Sequence, residues 1–206
     1  MCGIIGVVSQ IKNNVCYELL EGLLSLQHRG QDSSGISNGV NCIKKKGYAI
    51  NVFDKDALDN LKGNMCIGHV RYATNTFNDI KHIQPFNTNI SDDCNVSMVH
   101  NGNVINTQQI KEELFSRYGM ISEESSDSML VFQLFMAKLC LDYDEVISKE
   151  NIFDIILYLQ DVLVGSFSII ITFANKGLVC FRDRYGIRPL QYGFEEDTNS
   201  HLISSE

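Results

Sequence analysis

The sequence predicts an α+β fold built on mainly antiparallel sheets. Three observations lead there. Strand-like runs cluster toward the two ends of the chain, with helical stretches between them and no strict strand–helix alternation. Turn sequences, Asn38-Gly39 and Asn175-Lys176-Gly177, join neighbouring strand runs as hairpins would. Two prolines, Pro85 and Pro189, and no repeat or low-complexity tract leave residues 1–206 to read as one domain.

Taken in order, 3–9 (GIIGVVS) is an Ile/Val run bounded by glycine, the pattern of a buried strand. A helix is expected over 15–27, where Leu19, Leu23 and Leu26 share a face. HRGQDSSG reads as a loop, then strands at 34–40 and 42–50, a short helix near 55–61 and a strand at 64–70. Strand character resumes at 95–99 and runs into His100-Asn101-Gly102-Asn103. Residues 107–118 form a helix with Asn106 as its cap, Gln109 three residues on and Gly119 as its stop. The stretch 127–140 is apolar nearly all round and reads as a buried helix. Another helix covers 151–163, strands follow at 166–173, 177–182 and 188–194, and HLISSE begins a strand that stops short.

Bulk properties narrow the function classes. A net charge of −8 argues against nucleic acid as a general partner. No apolar run reaches the roughly 20 residues of a membrane helix, and no secretory leader is visible, so neither a membrane nor export is expected and the cytoplasm is. Seven cysteines are scattered without a CxxC pair, and the five histidines do not cluster with them, so neither a disulfide framework nor a metal site is expected. Six of those cysteines read as small buried hydrophobes.

Cys2 differs. Methionine is commonly trimmed before a small residue, which would leave Cys2 with a free α-amine beside its thiol. The two unperturbed pKa values, about 7.7–8.0 and about 8.5, make proton transfer from thiol to amine cost about 1 kcal/mol. Such a residue carries its own nucleophile and its own base. Three downstream features fit an amide substrate. Asn101 and Gly102 can offer a side-chain amide and a backbone N–H to one oxygen, although Asn-Gly is also the commonest hairpin turn. Arg71, in GHVRYAT, can clamp a carboxylate with Thr74 adding a hydroxyl, or sit on the surface at a strand end. Asp127, in SSDSML, can meet an ammonium, or serve as a first-turn dipole residue.

In order, MCGIIG, LQHRGQDSSG, GHVRYAT, QPF, HNGN, SDS, GSFS and RDRYGIRPL resemble the motifs of class II (N-terminal nucleophile) glutamine amidotransferases, over nearly the whole chain. Their wording is most similar to the glutaminase half of the amidophosphoribosyltransferases. The resemblance implies a four-layer αββα sandwich and a reaction that hydrolyses glutamine to glutamate and ammonia through a Cys2 thioester. It implies Cys2 as nucleophile, Asn101 and Gly102 as oxyanion donors, Arg71 with Thr74 on the substrate carboxylate, Asp127 on its ammonium, and Arg29 behind the Cys2 turn. RDRYGIRPL is expected to be structural, with a tight turn at Gly186 and a rigid restart at Pro189. No cofactor is implied within the chain. The implied partners are glutamine and a phosphoribosyltransferase or other synthase domain, in cis or in trans, within a full-length homo-oligomer of purine synthesis. Another acceptor such as a sugar phosphate, or an inactive glutamine-binding or assembly domain, are the alternatives. Two motifs depart from the family wording: Asn75-Thr76-Phe77 follows where a glycine is usual, and Arg184-Tyr185 stands where a proline is more common. No phosphoribosyltransferase domain is expected within residues 1–206, which read as an excised domain or as a natural short form.

Overall fold

The computed structural model describes residues 2–72, 80–91, 94–143 and 148–206. Among the described residues, ten strands form two antiparallel sheets. The six-stranded sheet has the order β3 (Cys42–Lys46), β2 (Ser33–Ser37), β4 (Met65–Arg71), β1 (Gly3–Ser9), β10 (Ser200–Ser204), β9 (Gln191–Glu195). The four-stranded sheet runs β5 (Phe86–Ser91), β6 (Cys94–Val104), β7 (Gly165–Phe173), β8 (Gly177–Arg182). Helix α1 (Cys16–Ser25) packs on the outer face of the first sheet, near the short α2 (Ala49–Val52) and α3 (Lys55–Asn60). Helices α4 (Thr107–Tyr118), α5 (Asp127–Leu141) and α6 (Lys149–Val162) pack on the outer face of the second.

The period of two along each strand builds the layers. On β1, Ile5 and Val7 join the α1 cluster, while Ile4 meets Ile67, Val99 and Ile170 between the sheets. On β7, Phe167, Ile169, Ile171 and Phe173 face the helices. Three apolar interfaces therefore separate four layers, the αββα sandwich expected from the motifs. The largely apolar α5 lies against β6 and between α4 and α6, which explains why its hydrophobic residues nearly surround it.

Several elements differ from expectation, each through a long-range contact. The 42–50 strand ends at Lys46, and a turn through Gly47 passes into α2. A short 3-10 turn at Gln27–Arg29 leads into the HRGQDSSG loop, whose Ser33-Ser34-Gly35 begins β2. Strand β5 is an addition: Phe86 stacks on Phe132 of α5 at 5.7 Å while the residues between are polar, too few apolar positions to signal a strand. The strand expected at 188–194 is β9, starting at Gln191. HLISSE is not a broken strand; Ser200–Ser204 pairs with β1 on one side and β9 on the other. Asn106 occupies the cap position of α4 without capping it. Its Nδ2 donates to Val162 O (2.8 Å) and its Oδ1 accepts from Val164 N (2.9 Å), tying α4 to the start of β7. Gly119 stops that helix at φ 66°, as expected.

Candidate active site

Four strands and one helix bring polar groups to one end of the sandwich. In the β1–β4 ladder Gly3 stands opposite Val70, so Cys2 and Arg71 leave the ladder side by side. Along β6, odd positions face the other sheet and even positions face α5. Ser97 Oγ meets Ser37 Oγ at 2.8 Å and Val99 packs between the sheets, whereas Met98 packs against the helices. Asn101 therefore points toward β1 and β10, and His100 toward α5. Asn101-Gly102 is not a turn: both residues lie inside an 11-residue strand, opposite Ser168 and Phe167 of β7. A Cβ at Gly102 would stand 2.3 Å from Ser166 O and 2.7 Å from His100 Nε2, so only glycine lets β6 and β7 meet here.

Ser205 links the two sheets at this end. Its N–H donates to Ile4 O (3.0 Å), its Oγ accepts from Ile4 N (3.0 Å), and Asn101 Nδ2 reaches the same Oγ at 3.5 Å. The third wall is the start of α5. Ser126 caps the helix, accepting from Met129 N, which sets Asp127 in its first turn. Asp127 Oδ2 accepts from Val104 N (2.9 Å), and its Oδ1 accepts from Ser128 N (2.7 Å) and Ser128 Oγ (3.3 Å).

Cys2, Arg71, Asn101, Gly102 and Asp127 all line a single cavity of about 540 Å³. Thr74 lies outside the described residues. Arg29 does not line the cavity; its Nε donates to Glu206 Oε1 (2.9 Å), just beyond the Ser205 link. Residues that sequence reasoning did not single out complete the lining, among them His82, Gln84, His100, Ser128 and Arg188. Gln84 Oε1 accepts from His100 N at 2.6 Å, and His82 Nε2 lies 2.8 Å from Glu124 Oε1. QPF and HNGN had drawn attention to these stretches, but nothing in the spacing foretold that Gln84 would hold His100. Arg188 enters from the RDRYGIRPL turn, which pivots at Gly186 with φ 64°.

The electrostatics are uneven. Burial pushes the Cys2 thiol up; a hydrogen bond from the Tyr72 backbone and the Arg71 guanidinium pull it down, and Asp127 adds to the rise. Burial keeps the His100 imidazole neutral, with Arg188 reinforcing that and Asp127 opposing it. His69, on β4, is held neutral down to about 3 by burial, Arg71 and His100. Among the described residues, His100 Nε2 and Arg188 Nε have no hydrogen-bond partner, and no group of three His, Cys, Asp or Glu is placed to hold a metal ion. A thiol, a guanidinium, a carboxylate and amide donors around one cavity complement a small zwitterion that carries a carbonyl.

A family model for the glutamine amidotransferase domain matches residues 69–206. The amidophosphoribosyltransferase of Methanocaldococcus jannaschii is 36% identical over 210 residues, a stretch covering all of this chain and 42% of that protein. The Escherichia coli amidophosphoribosyltransferase is 32% identical over 214 residues, with the same coverage. The solved structure of the Bacillus subtilis glutamine phosphoribosylpyrophosphate amidotransferase, complexed with ADP and GMP, matches with a TM-score of 0.79 at 29% identity, over the whole of this chain and 42% of that one. A structure described as the allosteric regulatory enzyme of purine biosynthesis matches at 0.81 and 29%, with the same coverage. The chain spans less than half the length of these relatives.

Proposed function

This chain belongs to the glutamine amidotransferase domain family, and from that premise we propose that it hydrolyses glutamine to glutamate and ammonia, with Cys2 as nucleophile. The observation that carries the reading is the convergence of Cys2, Arg71, Asn101, Gly102 and Asp127 on one cavity, from strands and a helix far apart in sequence. Residues 1–206 act as one glutaminase domain.

Arg71 pairs with the substrate α-carboxylate, with Thr74 assisting, and Asp127 pairs with its α-ammonium. Those two anchors fix where the side-chain amide falls. The Cys2 thiolate, its proton held by the liberated α-amine, attacks the δ-carbonyl carbon. The carbonyl electrons move onto oxygen, where Asn101 Nδ2–H and the Gly102 N–H stabilise them. Collapse expels ammonia, which takes the proton from the Cys2 ammonium, and leaves a glutamyl thioester. Water then adds to the thioester carbon, gives its proton to the free amine, and displaces the thiolate as glutamate leaves. Burial raises the thiol, so a charged neighbour is needed to hold the thiolate. The α-ammonium and Arg71 serve that role. Arg29, anchored on Glu206, steadies the end of β10 behind Cys2.

The acceptor follows from the relatives. Similarity over the whole chain to amidophosphoribosyltransferases supports passage of ammonia to a phosphoribosyltransferase domain, in cis or in trans, within a homo-oligomeric enzyme of purine synthesis. No described helix is long and apolar enough to cross a membrane, and the assembly is assigned to the cytoplasm.

The test is ammonia release from glutamine by protein whose intact mass shows that Met1 is gone. Cys2→Ala abolishes release while leaving the fold intact. A Cys2→Ala protein as fast as wild type overturns the mechanism.

A further inference from the structure

His100 sits at the back of the cavity with a hydrogen-bonding arrangement that the reaction above does not use. Its Nδ1 lies 2.6 Å from Ser128 Oγ, and that hydroxyl lies 3.3 Å from Asp127 Oδ1. Its Nε2 has no partner among the described residues, and the ring is 1% exposed. A neutral imidazole carries one N–H and one lone pair, and the surroundings decide which nitrogen has which. A Cβ on Gly102 would approach Nε2 to 2.7 Å, so in glycine a Cα hydrogen points that way. A lone pair accepts that contact, whereas an N–H would oppose it. The proton therefore belongs on Nδ1. From there the donors run in one direction: Nδ1–H to Ser128 Oγ, and Ser128 Oγ–H to Asp127 Oδ1. Donors aligned toward a carboxylate polarise one another and fix its plane. Gln84 Oε1 accepts from the His100 backbone N–H and fixes the stretch of β6 from which the imidazole projects.

We propose that His100 is a positioning residue which, through Ser128, orients Asp127 and so makes the cavity selective for ligands that carry an α-ammonium group. The proposal rests on Asp127 being the ammonium site of the glutaminase reading and adds the residue that sets its geometry. His100 touches no reacting atom in this scheme, and its effect passes through one carboxylate.

Binding, measured by calorimetry on the full chain with Cys2→Ala so that no turnover intervenes, tests it. The two probes are glutamine and glutaramate, which is glutamine without its α-ammonium. The Cys2→Ala chain is expected to favour glutamine. Adding His100→Leu should weaken glutamine about tenfold and leave glutaramate unchanged, the loss of one charge-directed hydrogen bond. His100→Asn, which can keep a side-chain N–H near the Nδ1 position, should recover most of the preference. Ser128→Ala should cost the same factor, and the two losses should not add when combined with His100→Leu. Equal weakening of both probes by His100→Leu overturns the inference, because a purely structural histidine would act that way. An unchanged ratio overturns it as well. If His100→Leu fails to fold, Ser128→Ala carries the test, and an unchanged ratio there has the same meaning. The glutaminase reading stands or falls separately, on ammonia release by the wild-type chain.

Discussion

Asp127 and Asp183 are two carboxylates at the same end of the four-stranded sheet, and they differ in how fully they are occupied. A carboxylate offers about four acceptor positions. Asp183, 4% exposed, fills all four from its own chain. Oδ1 accepts from Tyr185 N (3.1 Å) and Ile187 N (3.0 Å), and Oδ2 from Phe167 N (3.2 Å) and Arg188 N (3.1 Å). Among the described residues Asp127 accepts three, two on Oδ1 and one on Oδ2, and it lines a cavity that also contains Arg71. A saturated carboxylate can only hold its turn in place. An unsaturated one beside a cavity keeps an acceptor for something that is not protein. The difference separates structure from site without appeal to sequence.

The largest effect should come from emptying the saturated position. Asp183→Ala leaves four backbone N–H groups without their acceptor in a mostly buried turn. A loss of about 3–5 kcal/mol is expected in denaturant unfolding at neutral pH. Glutamine binding by whatever remains folded should change little. The effect should depend on pH in a defined direction. Burial alone would raise the Asp183 carboxyl, but the N–H groups of Ile187, Arg188, Phe167 and Tyr185 outweigh it and hold it below the usual carboxylate range. A depressed folded pKa gives stability that is present above the unfolded value, about 3.9, and is lost as pH falls through the folded value. The gap between wild type and Asp183→Ala should therefore narrow on acidification below about pH 4. A gap that is constant down to pH 2 would mean that Asp183 is not ionised in the fold.

Emptying the unsaturated position should do the reverse. Asp127→Asn preserves shape but removes the charge and exchanges an acceptor for a donor. Glutamine affinity should fall about thirtyfold, roughly 2 kcal/mol, with stability down by only about 1 kcal/mol. Glutaramate affinity should be unaffected. If Asp127→Asn instead destabilises as much as Asp183→Ala and spares glutamine binding, the distinction between the two carboxylates fails.

The same contrast shows what the sequence could reveal. Features set within a few residues were legible: the apolar α5, the Gly119 stop, the Gly186 turn and the Asn175 hairpin. Asp127 at a helix start was legible as a position, but its spare acceptor was not, because that depends on Val104 from another element. Asn101-Gly102 carried a hairpin signal that the β6–β7 pairing overrode; nine register pairs along a long strand outweigh one local turn preference. Strand β5 was hidden by its polar residues, and β10 was read only as a strand cut short because its partner β1 lies nearly 200 residues away. The site residues became readable only together, as a set of motifs resembling a known family. The roles of Gln84, His100 and Ser205 stayed invisible, since each acts through a contact that no spacing encodes.

The smallest effect tests whether the unsaturated carboxylate depends on its helix. Ser126 Oγ accepts from Met129 N at 3.4 Å, a long bond that nonetheless satisfies an orphan donor at the start of α5. Ser126→Ala should cost about 1 kcal/mol of stability, the usual value of a lost cap. Fraying of that first turn lets Asp127 wander, so glutamine affinity should drop a further two- to threefold or so, well under the loss from Asp127→Asn. Asp183 sits in a turn held by its own backbone bonds, and no comparable coupling to a cap exists for it. Should Ser126→Ala lower stability by that amount while leaving glutamine binding unchanged, Asp127 is held by Val104 and Ser128 alone, and the helix start contributes nothing to its aim.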